Sequence, residues 1–208
     1  MYNIDDSGSM AWETDIDDVD RKSAQAALVR RIAGIATRAA PKEGVHLRFI
    51  NQNTAYDDLD PAEIEAKMQF VPKGRTPLGE NLRRKVLQPL VYDIVESGKR
   101  LTRPLLILTI TDGYPDTPNT FQDEIRKCGR YLIQNGYQKA AVRFDLSQIG
   151  NDQHAASFLE SLSHDEEISD VLYVTAGHLD GTFAKLRDNE QKLEEWLLGK
   201  LSNPVRTV

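Results

Sequence analysis

Asp5-Asp6-Ser7-Gly8-Ser9-Met10 follows a strand-like stub, Tyr2-Asn3-Ile4, and gathers oxygen donors on one tight turn. Asp5 brings a carboxylate, Ser7 and Ser9 bring hydroxyls, and Gly8 lets the backbone come close to whatever these atoms hold. Hard oxygen donors converging on one point suit a small hard cation such as Mg²⁺. Taken alone, the stretch also reads as an N-capping turn, since Asp and Ser favour helix starts and loops. Two further donors stand in matching contexts. Thr76 lies in Lys73-Gly74-Arg75-Thr76-Pro77-Leu78, ahead of a helical pattern. Asp112 ends the apolar run Leu105-Leu106-Ile107-Leu108-Thr109-Ile110-Thr111 and precedes Gly113.

That apolar run marks a strand covered on both faces, as in a parallel sheet between helix layers. Around it, strand and helix alternate. A helix is expected over about Asp20 to Ala40, with Ala24, Leu28, Ile32, Ile35 and Ala39 inward and Arg21, Arg30, Arg31 and Arg38 largely elsewhere. Val45 to Ile50 reads as a strand with His46 on its less buried side. Asn51 to Asp60 reads as a loop holding at most a short strand around Asn53 to Tyr56. Asp60, Pro61 and Glu63 then form a helix-starting capping box. Leu78, Leu82, Val86, Leu90 and Ile94 make one apolar stripe, interrupted by Pro89. Pro118 opens a helix with Phe121, Ile125, Cys128 and Leu132 inward, closed by Asn135-Gly136. Ala140 to Ile149 reads as a strand, and Gly150-Asn151-Asp152 turns into a helix carrying Ala155, Phe158, Leu159 and Leu162. Asp170 to Thr175 is the last strand. A final helix, about Thr182 to Leu201, buries Phe183, Leu186, Leu193 and Leu197 with Trp196 at its margin. The whole predicts a doubly wound, mostly parallel α/β sheet with helices on both faces, forming one domain over residues 1–208.

Composition narrows the function. At 208 residues the chain can bury an ample core without disulfides. A net charge of −6 and a pI near 5.3 argue against nucleic acid or an anionic membrane as the main partner. No apolar run approaches the ~18 residues of a membrane span, and no basic segment followed by an apolar one opens the chain as a secretion signal. Cys128 is the only cysteine, so it forms no internal disulfide, and a reducing, cytoplasmic setting is expected. The acidic segment Glu13, Asp15, Asp17 and Asp18 reads as a solvated loop.

D-x-S-G-S, then a loop Thr, then a strand-end D-G, in that order, resembles the metal-ion-dependent adhesion site of the von Willebrand factor A domain. The segment Gln148-Ile149-Gly150-Asn151-Asp152 leading to Phe158-Leu159 is most similar to stand-alone A domains of fungal cytosolic proteins. The resemblance implies a Rossmann-like fold whose first strand lies mid-sheet, here truncated to about four residues before the turn. It also implies an antiparallel edge strand, which this sequence shortens or lacks. Ser7, Ser9 and Thr76 would hold the cation through hydroxyl oxygens, with Asp5 and Asp112 acting directly or through water. Mg²⁺ is the expected ion, with Mn²⁺ next and Ca²⁺ less suited. The implied activity is non-enzymatic binding of a partner protein that offers an Asp or Glu to the metal. Trp12, Arg75, Tyr114 and Gln148 are candidates for the surrounding rim, where aromatic and Arg side chains are favoured. A metal-dependent hydrolase or phosphotransferase is the alternative, although no G-x-S-x-G elbow or phosphate-binding G-x-x-x-x-G-K-[ST] loop is present. None of His46, His154 or His164 falls at a site-forming strand end, and His178 lies just after one. A scaffold with a vestigial metal site is a third reading.

Overall fold

β1 (Tyr2–Ile4), β2 (Val45–Phe49), β3 (Tyr56–Leu59), β4 (Leu105–Thr111), β5 (Val142–Gln148) and β6 (Leu172–Thr175) form one sheet in the spatial order β3-β2-β1-β4-β5-β6. All pairings are parallel except β2 with β3. The computed structural model describes residues 1–12, 20–39, 44–175, 181–182, 185, 191–192 and 194–199. The expected burial of Phe183, Leu186 and Leu193 lies outside these residues, as do the acidic Glu13 to Asp18 segment and His178.

The helices lie on both faces, and the buried side chains of β4 show why. Leu108 and Ile110 join a core that includes Leu28, Ile32, Phe49 and Ile64, whereas Ile107 joins one that includes Leu82, Val86, Phe121 and Phe144. Alternate residues of a strand point to opposite faces, so a run apolar at both parities needs cover on both. The first core is roofed by α1 (Arg21–Ala39) and α2 (Pro61–Lys67). Leu197 closes it, with Trp196 packed partly buried at its edge. The second core lies beneath α3 (Leu78–Asn81) with the π-helical segment Leu82–Tyr92 that continues it into α4 (Asp93–Glu96), then α5 (Pro118–Gln134) and α6 (Gln153–Ser163). The capping box at α2 forms as read: Asp60 accepts from Glu63 N–H, and Glu63 accepts from Asp60 N–H.

Two elements depart from the sequence reading. The edge strand is present, at Tyr56–Leu59 rather than around Asn53 to Tyr56, and pairs antiparallel with β2. Two aspartates make it a poor strand former. Asp57 is held by Arg48 and His46, at 2.6 and 2.7 Å. Burial works against its ionised form, but those partners keep its carboxyl below the usual carboxylate range. Asp58 takes a left-handed φ of 55° beside a register shift in the pairing with β2. Gly44 makes room there, since a Cβ on it would fall 2.2 Å from Asp58 backbone atoms. The second departure is the phase of the helix after Thr76. Its buried face runs Leu78, Leu82, Val86 and then Leu87 and Val91, leaving Leu90 and Ile94 only half-buried. Winding with i→i+5 bonds carries more residues per turn than an α-helix and so shifts the apolar stripe. Pro89 cannot supply the N–H that Lys85 O would receive in an α-helix, and Arg48 Nε donates to that carbonyl at 3.1 Å.

Two strands are shorter than expected: Lys139–Ala141 is a 3-10 turn ahead of β5, and β6 begins at Leu172. Among the described residues no helix is long and apolar enough to cross a membrane.

Candidate metal centre

β1 sits between β2 and β4, so strand order reverses beside it, and the crevice beyond the carboxyl ends of such strands is where open α/β sheets bind ligands. Ile4 pairs with Ile110, and Asp5 N–H donates to Ile110 O at 3.1 Å. The chain therefore leaves β1 at Asp5 and β4 at Asp112 side by side. Asp5 is locked by two contacts, with Ser7 N–H donating to Oδ1 at 2.8 Å and the Thr111 hydroxyl to Oδ2 at 2.5 Å. The Ser7 and Ser9 hydroxyls stand 3.1 Å apart, and Ser9 donates to Asp112 Oδ1 at 2.9 Å. Thr76 enters from the loop before α3. A Cβ placed on Gly113 would lie 3.5 Å from Thr76 Oγ1 and 4.0 Å from Ser9 Oγ, so both hydroxyls border one point, and the missing side chain at Gly113 keeps it open.

Asp6 braces this cluster and faces away from it. Its carboxylate accepts from Asn51 N–H at 2.6 Å and Gln52 N–H at 3.2 Å. Asn51 Nδ2 in turn donates to Arg75 O at 2.9 Å, and Gly8 N–H donates to Gly74 O at 3.2 Å. The loop bearing Thr76 is thus tied to the turn bearing Ser7 and Ser9 by backbone bonds and one carboxylate. Gly74 adopts φ +95°, and a Cβ on it would strike Asn51 Oδ1 at 2.5 Å. Lys85 holds the same corner from the helix side, its Nζ donating to the carbonyls of Phe49, Ile50 and Gln52 at 2.6–2.9 Å.

Asp5 and Asp112 are both fully buried, and burial together with the Asp112 charge pushes the Asp5 carboxyl up to about 6. Two close carboxylates without enough positive charge behave this way. The one cation paired with them among the described residues is Arg21, whose Nη1 lies 2.8 Å from Asp112 Oδ2. The donor set of two carboxylates and three hydroxyls fits a hard divalent ion of the Mg²⁺ or Mn²⁺ kind. Among the described residues no three His, Cys, Asp or Glu side chains converge, so any ion here depends on Ser7, Ser9 and Thr76.

No protein-family model matches the sequence, and no curated protein matches it either. Solved structures do. The crystal structure of manganese-loaded Plasmodium vivax TRAP protein superposes with a TM-score of 0.53 at 14% identity, covering 89% of this chain and 70% of that one. This is a von Willebrand factor A fold. Proximal thread matrix protein 1 from the mussel byssus, also solved with a zinc-occupied MIDAS motif, matches at a TM-score of 0.46 and 14–15% identity. There 92–93% of this chain is covered, and the chain spans 44% of that protein.

Within the A fold, the five oxygen-bearing residues read from the sequence are brought to one crevice. The rim residues fare differently. Trp12, 62% exposed, Tyr114, 48% exposed, and Arg75 all lie at the surface. Gln148 does not belong there: it is 2% exposed and donates Nε2 to Asp152 O at 2.9 Å, bracing the turn after β5. His154 was not expected near the site, yet its ring meets Tyr114 edge-on, with centroids 6.4 Å apart. Arg21, expected largely away from the apolar stripe of α1, is buried at 7% exposure. A signal for it did exist. Arg21-Lys22 opens a helix, where positive charge opposes the macrodipole, and such local conflicts gather at functional sites.

Proposed function

We propose that this chain is a non-enzymatic protein-interaction module whose binding depends on a divalent cation held by Asp5, Ser7, Ser9, Thr76 and Asp112. The observation that carries the reading is the convergence of those side chains at the point of strand-order reversal, with two buried carboxylates only partly neutralised. The manganese-loaded state of the TRAP protein, which shares the fold, supports a divalent ion here. Ser7, Ser9 and Thr76 would hold the ion, with Asp5 and Asp112 behind them or in direct contact. Mg²⁺ is the proposed ion, because it takes oxygen ligands and keeps exchangeable waters. When bound it supplies an open position for a carboxylate oxygen of a partner. Neutral hydroxyls next to the ion leave much of its charge available to that carboxylate. Trp12, Tyr114 and Arg75 would contact the surrounding partner surface. A cytoplasmic setting belongs to the same proposal. It is supported by Cys128 being the single cysteine of the sequence, which leaves no internal disulfide to form.

Binding of peptides that carry a single Asp or Glu, compared with their Asn or Gln counterparts, tests the reading. Acidic peptides should bind in Mg²⁺ and be released by EDTA. Binding that ignores both the acidic residue and the chelator contradicts it. Turnover of phosphate or ester substrates abolished by Asp112→Ala would replace it with a metal-dependent hydrolase.

A further inference from the structure

Arg21 occupies a place built for it. Its Nη1 pairs with Asp112 Oδ2 at 2.8 Å, on the opposite oxygen from the one that accepts the Ser9 hydroxyl. The Trp12 ring covers the guanidinium, 5.4 Å from Cζ, and Arg21 N–H donates to Trp12 O at 3.0 Å. The other wall is Gly150, where φ is +75° and a Cβ would fall 2.7 Å from Arg21 Nε. That Nε is buried without a hydrogen-bond partner among the described residues. A long cationic side chain held between an indole and a glycine, one N–H unsatisfied, is not there for packing alone. Among the described residues its one ion-pair partner is a carboxylate of the candidate metal centre. Asp6 is engaged by the Asn51 and Gln52 amides, and its field falls on Lys85.

We infer that Arg21 is a positioning residue that weakens divalent-ion binding and, in return, leaves the loaded centre positively charged toward an acidic ligand. The inference rests on the metal reading above and deepens it. With Arg21 in place, Asp5, Asp112, the guanidinium and a divalent ion leave one net positive charge; without it they leave none. The guanidinium also holds Asp112 oriented when no ion is bound, which relieves its repulsion with Asp5.

Calorimetric titration of Mn²⁺ into the wild-type chain, Arg21→Gln and Arg21→Lys tests this directly, with no activity needed. Removing the charge should tighten Mn²⁺ binding on the order of tenfold, the size of effect a neighbouring charge exerts on such a site. Arg21→Lys, which keeps the charge, should stay close to wild type. Arg21→Gln loaded with Mn²⁺ should bind an Asp-containing peptide several-fold more weakly than the loaded wild type does. Equal or weaker Mn²⁺ affinity in Arg21→Gln overturns the inference while leaving the metal reading intact. So does a Lys variant that behaves like the Gln variant. If neither wild type nor Arg21→Gln takes up Mn²⁺, the metal reading fails and this one with it.

Discussion

Asp112 and Asp6 are both acids at or near a strand end, and they have separate duties. Asp112 faces the crevice, against Ser9 and Arg21, whereas Asp6 faces the Asn51 and Gln52 amides. Asp112→Ala should therefore abolish the rise in melting temperature that Mn²⁺ produces in the wild type, as read by differential scanning fluorimetry. Asp6→Ala should instead lower the unfolding free energy by about 1–2 kcal/mol in urea titration, because it removes the buried acceptor that holds the half-buried Asn51 and Gln52 amides. It should also weaken Mn²⁺ binding through the slackened Thr76 loop, although Asp6 touches no ion. Unchanged stability in Asp6→Ala would contradict the bracing role. The five oxygen-bearing residues could be picked out of the sequence because Asp112 and Thr76 sit at the edges of elements with clear apolar patterns and Asp5, Ser7 and Ser9 share one short turn. The role of Arg21 was not legible, because its partner is far along the chain and only the folded backbone brings the two together.

The element that carries Thr76 is positioned by close helix contact. Gly79 lies against the first turn of α5, where a Cβ would stand 2.4 Å from Thr120 backbone and side-chain atoms. Gly79→Ala should cost about 1–3 kcal/mol by overpacking, and should weaken Mn²⁺ binding as α3 is pushed away from the site. Stability within error of wild type would show that this contact yields without consequence. Helix periodicity located this element correctly but misjudged its later phase, since nothing in a 3.6-residue count announces a π-helical turn. β3 was displaced for a different reason. Its residues are poor strand formers, and Arg48, His46 and Gly44, all from outside it, make the pairing possible. β4 and α5, whose cores depend on their own apolar residues, were read as they stand.

For the whole molecule, the sheet order explains how residues at the two ends of a long sequence interval form one site: β1 and β4 are neighbours, and the crevice opens where they end. Doubly wound topology was legible from the alternation of elements, while strand order was not, because parallel pairing leaves no local mark in the sequence. A ligand that binds only the folded chain stabilises it by mass action, so Mg²⁺ at a hundred times its dissociation constant should add about 2.7 kcal/mol to the unfolding free energy. EDTA should remove that increment completely, and an unresponsive unfolding curve would argue against a folded-state site. The most direct measurement is anomalous diffraction at the manganese edge from crystals grown with Mn²⁺. One peak bordered by the oxygens of Ser7, Ser9 and Thr76, with Asp5 and Asp112 behind it, is the predicted result; a map with no peak in that crevice, or with manganese bound only elsewhere, would contradict it.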